Sequence, residues 1–382
     1  MAAWAAGAQA HPHPAGLPRR CPARRPHRRA ACRTGSPAQE VGAHQSYSYR
    51  LAHDHQRSFL AALDAQLISA GLATGEQAIF DLDFHAVLHW GHDPALERHD
   101  VPTRSQRARW VLTFFAQDSG THNLVYTNAD LHKATQAREV IAFCDHWKGV
   151  SGHNPHLLVM DQKLTTHKVL GELDARGIKF LTLRMRSPSL VRHINSLHST
   201  DFQTMTLDRP GPHNKPKVHQ DAAVPLSDYP GTVRQLIVTG LGHQATTVII
   251  TNHGHASLKA LIAQYARRMT IEQRLAEIIR AFCTDALSST VNLNVDLDVM
   301  LAVLAQALLA ALRARLPGYH AVTPDTLQRR FLETPGARSS TQATPSPSAS
   351  NDAPTHRAAQ ANLPAQTTVP WWDNRTLRYQ FA

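Results

Sequence analysis

The residues Tyr265-Ala-Arg-Arg268-Met-Thr-Ile-Glu272 form the most specific pattern in this chain of 382 residues. An α-helix has about 3.6 residues per turn, so steps of three and four place Tyr265, Arg268 and Glu272 on one helical face. A carboxylate on that face can bind a metal ion, while a neighbouring cation and aromatic ring hold a phosphate. The pattern therefore predicts a helix that contributes to a metal- and phosphate-binding site.

Two aspartates upstream lie in or at the end of short apolar runs typical of β-strands. Asp83 belongs to Ala-Ile-Phe-Asp-Leu-Asp-Phe-His, and Asp161 ends Leu-Leu-Val-Met-Asp. Side chains alternate along a strand, so Asp81 faces the same side as Asp83 and either could bind a metal ion. Hard oxygen ligands that converge from two strands and a helix are what a two-metal phosphoryl-transfer site requires.

Together these motifs resemble the insertion-sequence transposases of the DDE type, in the group with a Tyr-x2-Arg-x3-Glu-x6-Lys signature. The resemblance extends over most of the chain, from about Tyr47 to Tyr319. Three more motifs contribute to it: Tyr-Thr-Asn-Ala-Asp-Leu ending at Leu131, Met-Asp-Gln-Lys-Leu-Thr-Thr ending at Thr166, and Asp-Ala-Leu-Ser-Ser starting at Asp285.

The resemblance implies an α/β fold, namely an RNase H-like mixed sheet with flanking helices and a β-strand insertion between the second aspartate and the glutamate. It selects Asp83 over Asp81, because Phe84 and His85 follow Asp83 as in the family pattern. Asp83, Asp161 and Glu272 would be the catalytic residues and would bind two Mg²⁺ ions about 4 Å apart, with Mn²⁺ able to substitute.

The implied activity is DNA strand cleavage and strand transfer. The expected partners are double-stranded DNA, as the terminal inverted repeats of an element and its target DNA, and a second copy of the chain in a homodimer. A catalytically impaired remnant that only binds DNA is the alternative. A stand-alone RNase H-like nuclease is a third hypothesis, which no sequence feature favours over transposition.

Six residues are predicted to contact DNA phosphates. Tyr265 and Arg268 follow from the signature, and Arg280 is expected to replace the family lysine, whose position is occupied by Ile279. Glu277 projects elsewhere on the helix and is the weaker choice for the third ligand. The other three residues each follow the end of a predicted strand, and a position on an ordinary solvated surface would account for each of them equally well. They are Lys163, Arg184 and Arg186.

The composition favours a polyanionic partner, because 40 Lys and Arg against 29 Asp and Glu give a formal net charge of +11. The four cysteines have no CxxC spacing, and the His-x-His pairs at 11–13 and 53–55 lack further ligands, so no structural zinc site is predicted. We expect a bacterial cytoplasmic protein, associated with the nucleoid when bound to DNA. No membrane span is expected, because the apolar segment Val299–Leu312 is short and is interrupted by Gln306.

Periodicity predicts strands at 77–88, 109–115, 123–126, 156–160 and 179–183, and further short strands at 203–207, 234–239 and 246–251. Helices are predicted at 53–70, 134–147, 167–175, 257–266, 271–282 and 297–312. Three strands followed by helix, strand, helix and strand is the order of an RNase H-like core, although the pattern itself indicates only an α/β protein.

Composition and pattern divide the chain into five segments. The first is expected to be a disordered basic leader, because it is rich in Ala, Pro, Arg and His and lacks apolar periodicity, with a nucleic-acid-binding arm as the alternative. Nothing in it resembles the family's helical DNA-recognition domain. The last is expected to be a flexible linker and a tail that contains Trp371 and Trp372. The segments are the leader 1–45, the first part of the core 46–200, the β-strand insertion 201–254, the helical completion of the core 255–330, and the linker and tail 331–382.

Overall fold

The interior strand β1 (Ile79–Leu88) belongs to a ten-stranded mixed sheet in the computed structural model. The structure describes residues 52–75, 77–88, 97–101, 106–162, 164–208, 213–241, 246–282, 284, 291–332, 358–359, 361–364, 366–369 and 374–378. The predicted leader 1–45, Lys163, the motif at Asp285 and the two tryptophans of the tail lie outside the described residues.

Six strands form the first part of the sheet: β1, β2 (Glu97–Val101), β3 (Gln106–Asp118), β4 (Leu124–Asn128), β5 (Leu157–Met160) and β6 (Lys179–Leu183). β3 pairs antiparallel with β1, β2 and β4. On the other side of β1, β5 runs parallel to β1 and β6 runs parallel to β5. The resulting order β4-β3-β1-β5-β6 contains the five strands predicted in this part of the sequence, whereas β2 was not predicted.

The predicted insertion does not form a separate sheet but extends the first one. Its strands are β7 (Gln203–Thr204), β8 (Lys217–Pro225), β9 (Thr232–Thr239) and β10 (Thr247–Thr251). β10 pairs antiparallel with β6, and the order continues through β9 and β8 to β7. β8 was missed in the sequence because Val218 is its only buried residue, so the apolar alternation that marks a strand is absent.

Eight α-helices are present in the described part of the chain. α4 was also missed, because only Leu190 of its residues is buried. Two short strands near the C-terminus, β11 (Gln366–Val369) and β12 (Arg375–Arg378), pair only with each other. The helices are α1 (His53–Ser69), α2 (Glu139–Ser151), α3 (His167–Ala175), α4 (Pro188–Ser196), α5 (Leu258–Arg267), α6 (Met269–Phe282), α7 (Asn292–Arg315) and α8 (Pro324–Leu327).

The two faces of the sheet pack against different helices. Phe80 of β1 contacts the rings of Phe143 and Trp147 on α2. Ile79, which points to the opposite face, packs with the cluster that includes α5. Because side chains alternate along β1, Asp81 and Asp83 share the face of Ile79 and are directed toward the side of α5.

The helix α7 is the one described helix that is long and apolar enough to cross a membrane by length and composition. In the structure it packs through Val295, Val299 and Val303 into the main hydrophobic cluster. Buried Gln306 accepts a hydrogen bond from the N–H of Leu124 and donates one to Asn123 Oδ1. These contacts are those of a core helix.

Candidate active site

Three distant carboxylates meet at one guanidinium group. The oxygens lie 3.6 Å (Asp83 Oδ2), 3.9 Å (Asp161 Oδ2) and 3.3 Å (Glu272 Oε1) from the Arg268 side-chain nitrogens. The parallel register of β1 and β5 pairs Leu82 with Met160, so Asp83 and Asp161 follow at the same level. Glu272 comes from the first turn of α6.

Arg268 lies at the joint between two helices. α5 ends at Arg267 and α6 begins at Met269, with Arg268 N–H donating to the carbonyl of Tyr265. The single helical face assumed from the sequence is therefore interrupted at Arg268, although its Nη2 still donates to Glu272 Oε1 at i+4. The Arg268 side chain is 7% exposed and points at the carboxylates, so its predicted contact with a DNA phosphate stays a prediction.

The hydrogen bonding of this guanidinium is incomplete. Arg268 Nη1 is buried and has no hydrogen-bond partner among the described residues. Burial opposes the charge of Arg268, but Tyr265 and the three carboxylates outweigh it and raise its pKa. The guanidinium is thus held mainly by charge rather than by a full set of hydrogen bonds.

The surroundings of Asp83 on β1 disfavour the ionised form of its carboxyl group. Burial raises the pKa of Asp83 to about 6, and the charges of Asp161 and Glu272 add to this effect while Arg268 opposes it. Asp161 and Glu272 differ from Asp83 in being 43% and 46% exposed. Asp83 therefore keeps its proton to a higher pH than a solvated aspartate does.

Asp81, the alternative to Asp83, is completely buried. Neither of its carboxylate oxygens has a hydrogen-bond partner of normal geometry in the described part of the chain, although the Ser119 side chain lies close enough to interact with the carboxylate. Burial raises the pKa of Asp81 to about 6 as well. Asp83 thus lies with the other two carboxylates at Arg268. Asp81 lies two residues earlier on the same face of β1 and is more deeply buried.

The other predicted DNA contacts lie in different surroundings. Tyr265 is buried against the apolar cluster of α5, and burial raises its pKa to about 12. Arg280 is exposed and donates to the Ala276 carbonyl of its own helix at 3.1 Å. Arg184 donates to Gln235, and Arg186 donates to the Thr246 carbonyl. The predicted DNA contact of each of these four residues stays a prediction.

The sequence analysis missed a second group of possible metal ligands. His193, His219 and Asp221 each offer an atom that lies within 4.8 Å of the other two, and no other described group of at least three such residues meets this limit. Strand spacing would have given one signal, since His219 and Asp221 are two residues apart and share a face of β8.

Known proteins show only a distant similarity to this chain. No protein-family model and no curated protein matches the sequence. A solved structure with detectable similarity is the piggyBac transposase synaptic complex with hairpin DNA, at 12% identity and a TM-score of 0.34. The match covers 78% of this chain and 64% of that chain. A similarity of this size carries no argument about function.

Proposed function

We propose that the chain is a DNA transposase that cleaves DNA strands and transfers them to a target, with Asp83, Asp161 and Glu272 as its metal-binding carboxylates. The observation that supports this most is the meeting of these three residues at Arg268, from two strands and a helix far apart in sequence. Carboxylates that surround one buried guanidinium repel one another, and a divalent cation among them would offset that repulsion.

The order of the strands supports an RNase H-like core. β4, β3 and β1 are antiparallel, β5 and β6 continue in parallel, and α2 and α3 provide the two crossovers. In this arrangement Asp83 lies on β1, and Asp161 comes directly after β5. The strands β7 to β10 then form the proposed insertion, which precedes the helix that carries Glu272.

The donor set fits Mg²⁺, because all three side chains offer hard carboxylate oxygens. When bound, Mg²⁺ or Mn²⁺ would activate a water molecule and later a DNA 3′-hydroxyl, and would stabilise the leaving oxygen of an in-line displacement. Arg268 has one hydrogen bond to the cluster and an unpartnered Nη1. We propose that it neutralises the carboxylates in the metal-free protein and is then released to pair with a DNA phosphate.

The protonation of Asp83 should set the lower pH limit of this reaction. Metal binding requires the carboxylate form, and burial raises the pKa of Asp83 to about 6. At a low Mg²⁺ concentration, metal binding and with it activity should therefore fall as the pH drops through about 6, and a higher Mg²⁺ concentration should move this limit to lower pH because metal and proton compete for Asp83. The DNA substrate, the homodimer and the cytoplasmic location remain parts of the same proposal.

The test uses a supercoiled plasmid that carries the genomic DNA from both sides of the gene. The full chain should nick this plasmid with Mg²⁺ or Mn²⁺, and Glu272→Gln should abolish nicking by removing a metal ligand. DNA affinity of the variant, measured by fluorescence anisotropy, should be unchanged or slightly higher, because phosphate contacts dominate that affinity. Glu172→Gln is the matched control, since Glu172 pairs with Arg138 on the surface, and it should cleave like wild type.

A remnant that only binds DNA is the second candidate. It is favoured by Ile279 and by Arg280, whose guanidinium bonds to its own helix backbone. DNA binding without nicking in Mg²⁺ or Mn²⁺ would support the remnant and refute the catalytic proposal. Nicking without joining of the cut ends to a second plasmid would identify a nuclease instead.

A further inference from the structure

A second cluster of ionisable side chains lies on the inserted strands. His193 belongs to α4, and His219 and Asp221 belong to β8. The helix rests on the sheet through Leu190, which packs with Ile237 and Val248. The cluster therefore connects a helix to a strand that otherwise buries few side chains.

The hydrogen bonds of His219 fix the position of its proton. Its Nδ1 lies 3.0 Å from the backbone carbonyl oxygen of Asp201, which can only accept, so Nδ1 carries the hydrogen. In the neutral imidazole, Nε2 then presents a lone pair, and this atom lies 3.2 Å from Asp221 Oδ1. Two acceptors at this distance repel each other unless a proton or a metal ion lies between them.

The second histidine approaches the same carboxylate. His193 Nε2 lies 3.1 Å from Asp221 Oδ2 and 3.2 Å from Oδ1. Two imidazole nitrogens and a carboxylate oxygen thus converge on one point. The side chain of His193 is 41% exposed, whereas those of His219 and Asp221 are half-buried, so one side of the cluster is open to solvent.

Neighbouring residues fix the orientation of the Asp221 carboxylate. Gln235 Nε2 donates to Asp221 Oδ2 at 2.7 Å, and Gln235 Oε1 accepts from Arg184. Such partners around the ligands fix ligand orientation in metal sites.

We propose that His193, His219 and Asp221 bind Zn²⁺ or a similar divalent transition-metal ion, separately from the Mg²⁺ proposed at Asp83. Two histidines and one carboxylate are an established zinc ligand set that leaves a position for water. Imidazole nitrogen favours zinc-like ions over Mg²⁺. The ion links α4 to β8 and stabilises the outer part of the sheet.

The test counts zinc on the full chain after removal of metals with a chelator. The wild type should bind one more Zn²⁺ than His219→Gln or Asp221→Asn, and Co²⁺ should give the visible absorption of a tetrahedral site only in the wild type. Gln235→Ala keeps all three ligands and should weaken the site by about 10- to 100-fold. Circular dichroism verifies that each variant is folded.

The control is another histidine pair. The rings of His156 and His253 lie 6.2 Å apart, close to the 6.3 Å between His193 and His219, but they belong to no described three-ligand group. His156→Ala should keep the zinc count of the wild type, and so should Glu272→Gln, which separates this site from the acidic one. Equal zinc counts and affinities in the wild type, His219→Gln and Asp221→Asn would overturn the proposal and leave a proton-bridged cluster.

Discussion

Replacing Asp83 by asparagine should stabilise the metal-free protein at neutral and alkaline pH. Burial is the main reason that the pKa of Asp83 rises from 3.8 to about 6. The side chain is 17% exposed, so solvent screens this effect only in part. At about 1.36 kcal/mol per pKa unit, ionising Asp83 costs the folded state about 3 kcal/mol relative to the unfolded chain. Asparagine carries no charge and avoids that cost.

The pH dependence of the effect follows from the direction of the shift. Because the folded pKa is the higher one, the folded chain binds more protons between about pH 4 and pH 6, and wild-type stability falls as the pH rises through this window. Asp83→Asn should therefore be about 3 kcal/mol more stable than wild type near pH 8 and nearly equal to it near pH 4. Urea unfolding with EDTA across this range measures both values.

Asp161→Asn is the matched control, because Asp161 belongs to the same cluster but is 43% exposed. Its effect on stability should be much smaller. Mg²⁺ should stabilise the wild type but not Asp83→Asn, since only the wild type keeps the complete set of carboxylates. The reasoning is refuted if Asp83→Asn is no more stable than wild type near pH 8, or if its advantage persists unchanged to pH 4.

Two further variants test the surroundings of this site and the packing of the fold. Arg268→Met removes the cation that lowers the pKa of Asp83, so in the Arg268→Met background the advantage of Asp83→Asn should still begin near pH 4 but should keep growing above pH 6 and exceed its size in the wild-type background, as measured by the same unfolding series. Gly171→Ala places a Cβ 2.6 Å from Cδ of Pro230 and should lower the free energy of unfolding by about 1–3 kcal/mol, whereas Gly149→Ala meets no atom within 4 Å and should not be destabilising.

The strands of the core could be predicted because their side chains alternate or form short apolar runs. The same alternation correctly placed Asp81 and Asp83 on one face of β1, but it contains no information on which of them meets Asp161. That choice depends on the parallel register with β5, a contact between residues far apart in sequence. Helical periodicity presupposes one continuous helix, so it could not reveal that α5 ends at Arg267 and α6 begins at Met269.

The cluster at His193 shows a different limit of prediction. Its residues lie on α4 and β8, two elements that were not predicted and that each bury one residue, Leu190 and Val218. β8 has no apolar alternation, α4 is only nine residues long, and His219 lies 26 positions after His193 (219 − 193). Only the pairing of β8 with β9 and the packing of α4 on the sheet bring these side chains together.

Two fully buried aspartates, Asp296 and Asp81, differ in how their carboxylates are hydrogen-bonded. Asp296 on α7 is fully buried, and its oxygens accept hydrogen bonds from Arg57 and from the N–H of Ala129 and pair with His53 Nδ1 at 2.8 Å. Asp81 is equally buried but lacks such a set of partners, because neither oxygen has a hydrogen bond of normal geometry in the described part of the chain and the Ser119 side chain offsets its burial only in part.

A carboxylate that serves only the fold is expected to be satisfied as Asp296 is, because an unpaired buried charge is costly. Asp83 instead accepts from the N–H of Phe84, the next residue, and lies 3.6 Å from Arg268. The carboxylates near Arg268 outnumber its single positive charge. Because an excess of negative charge destabilises the empty site and strengthens the binding of divalent cations, this imbalance favours a metal-binding role over a structural one.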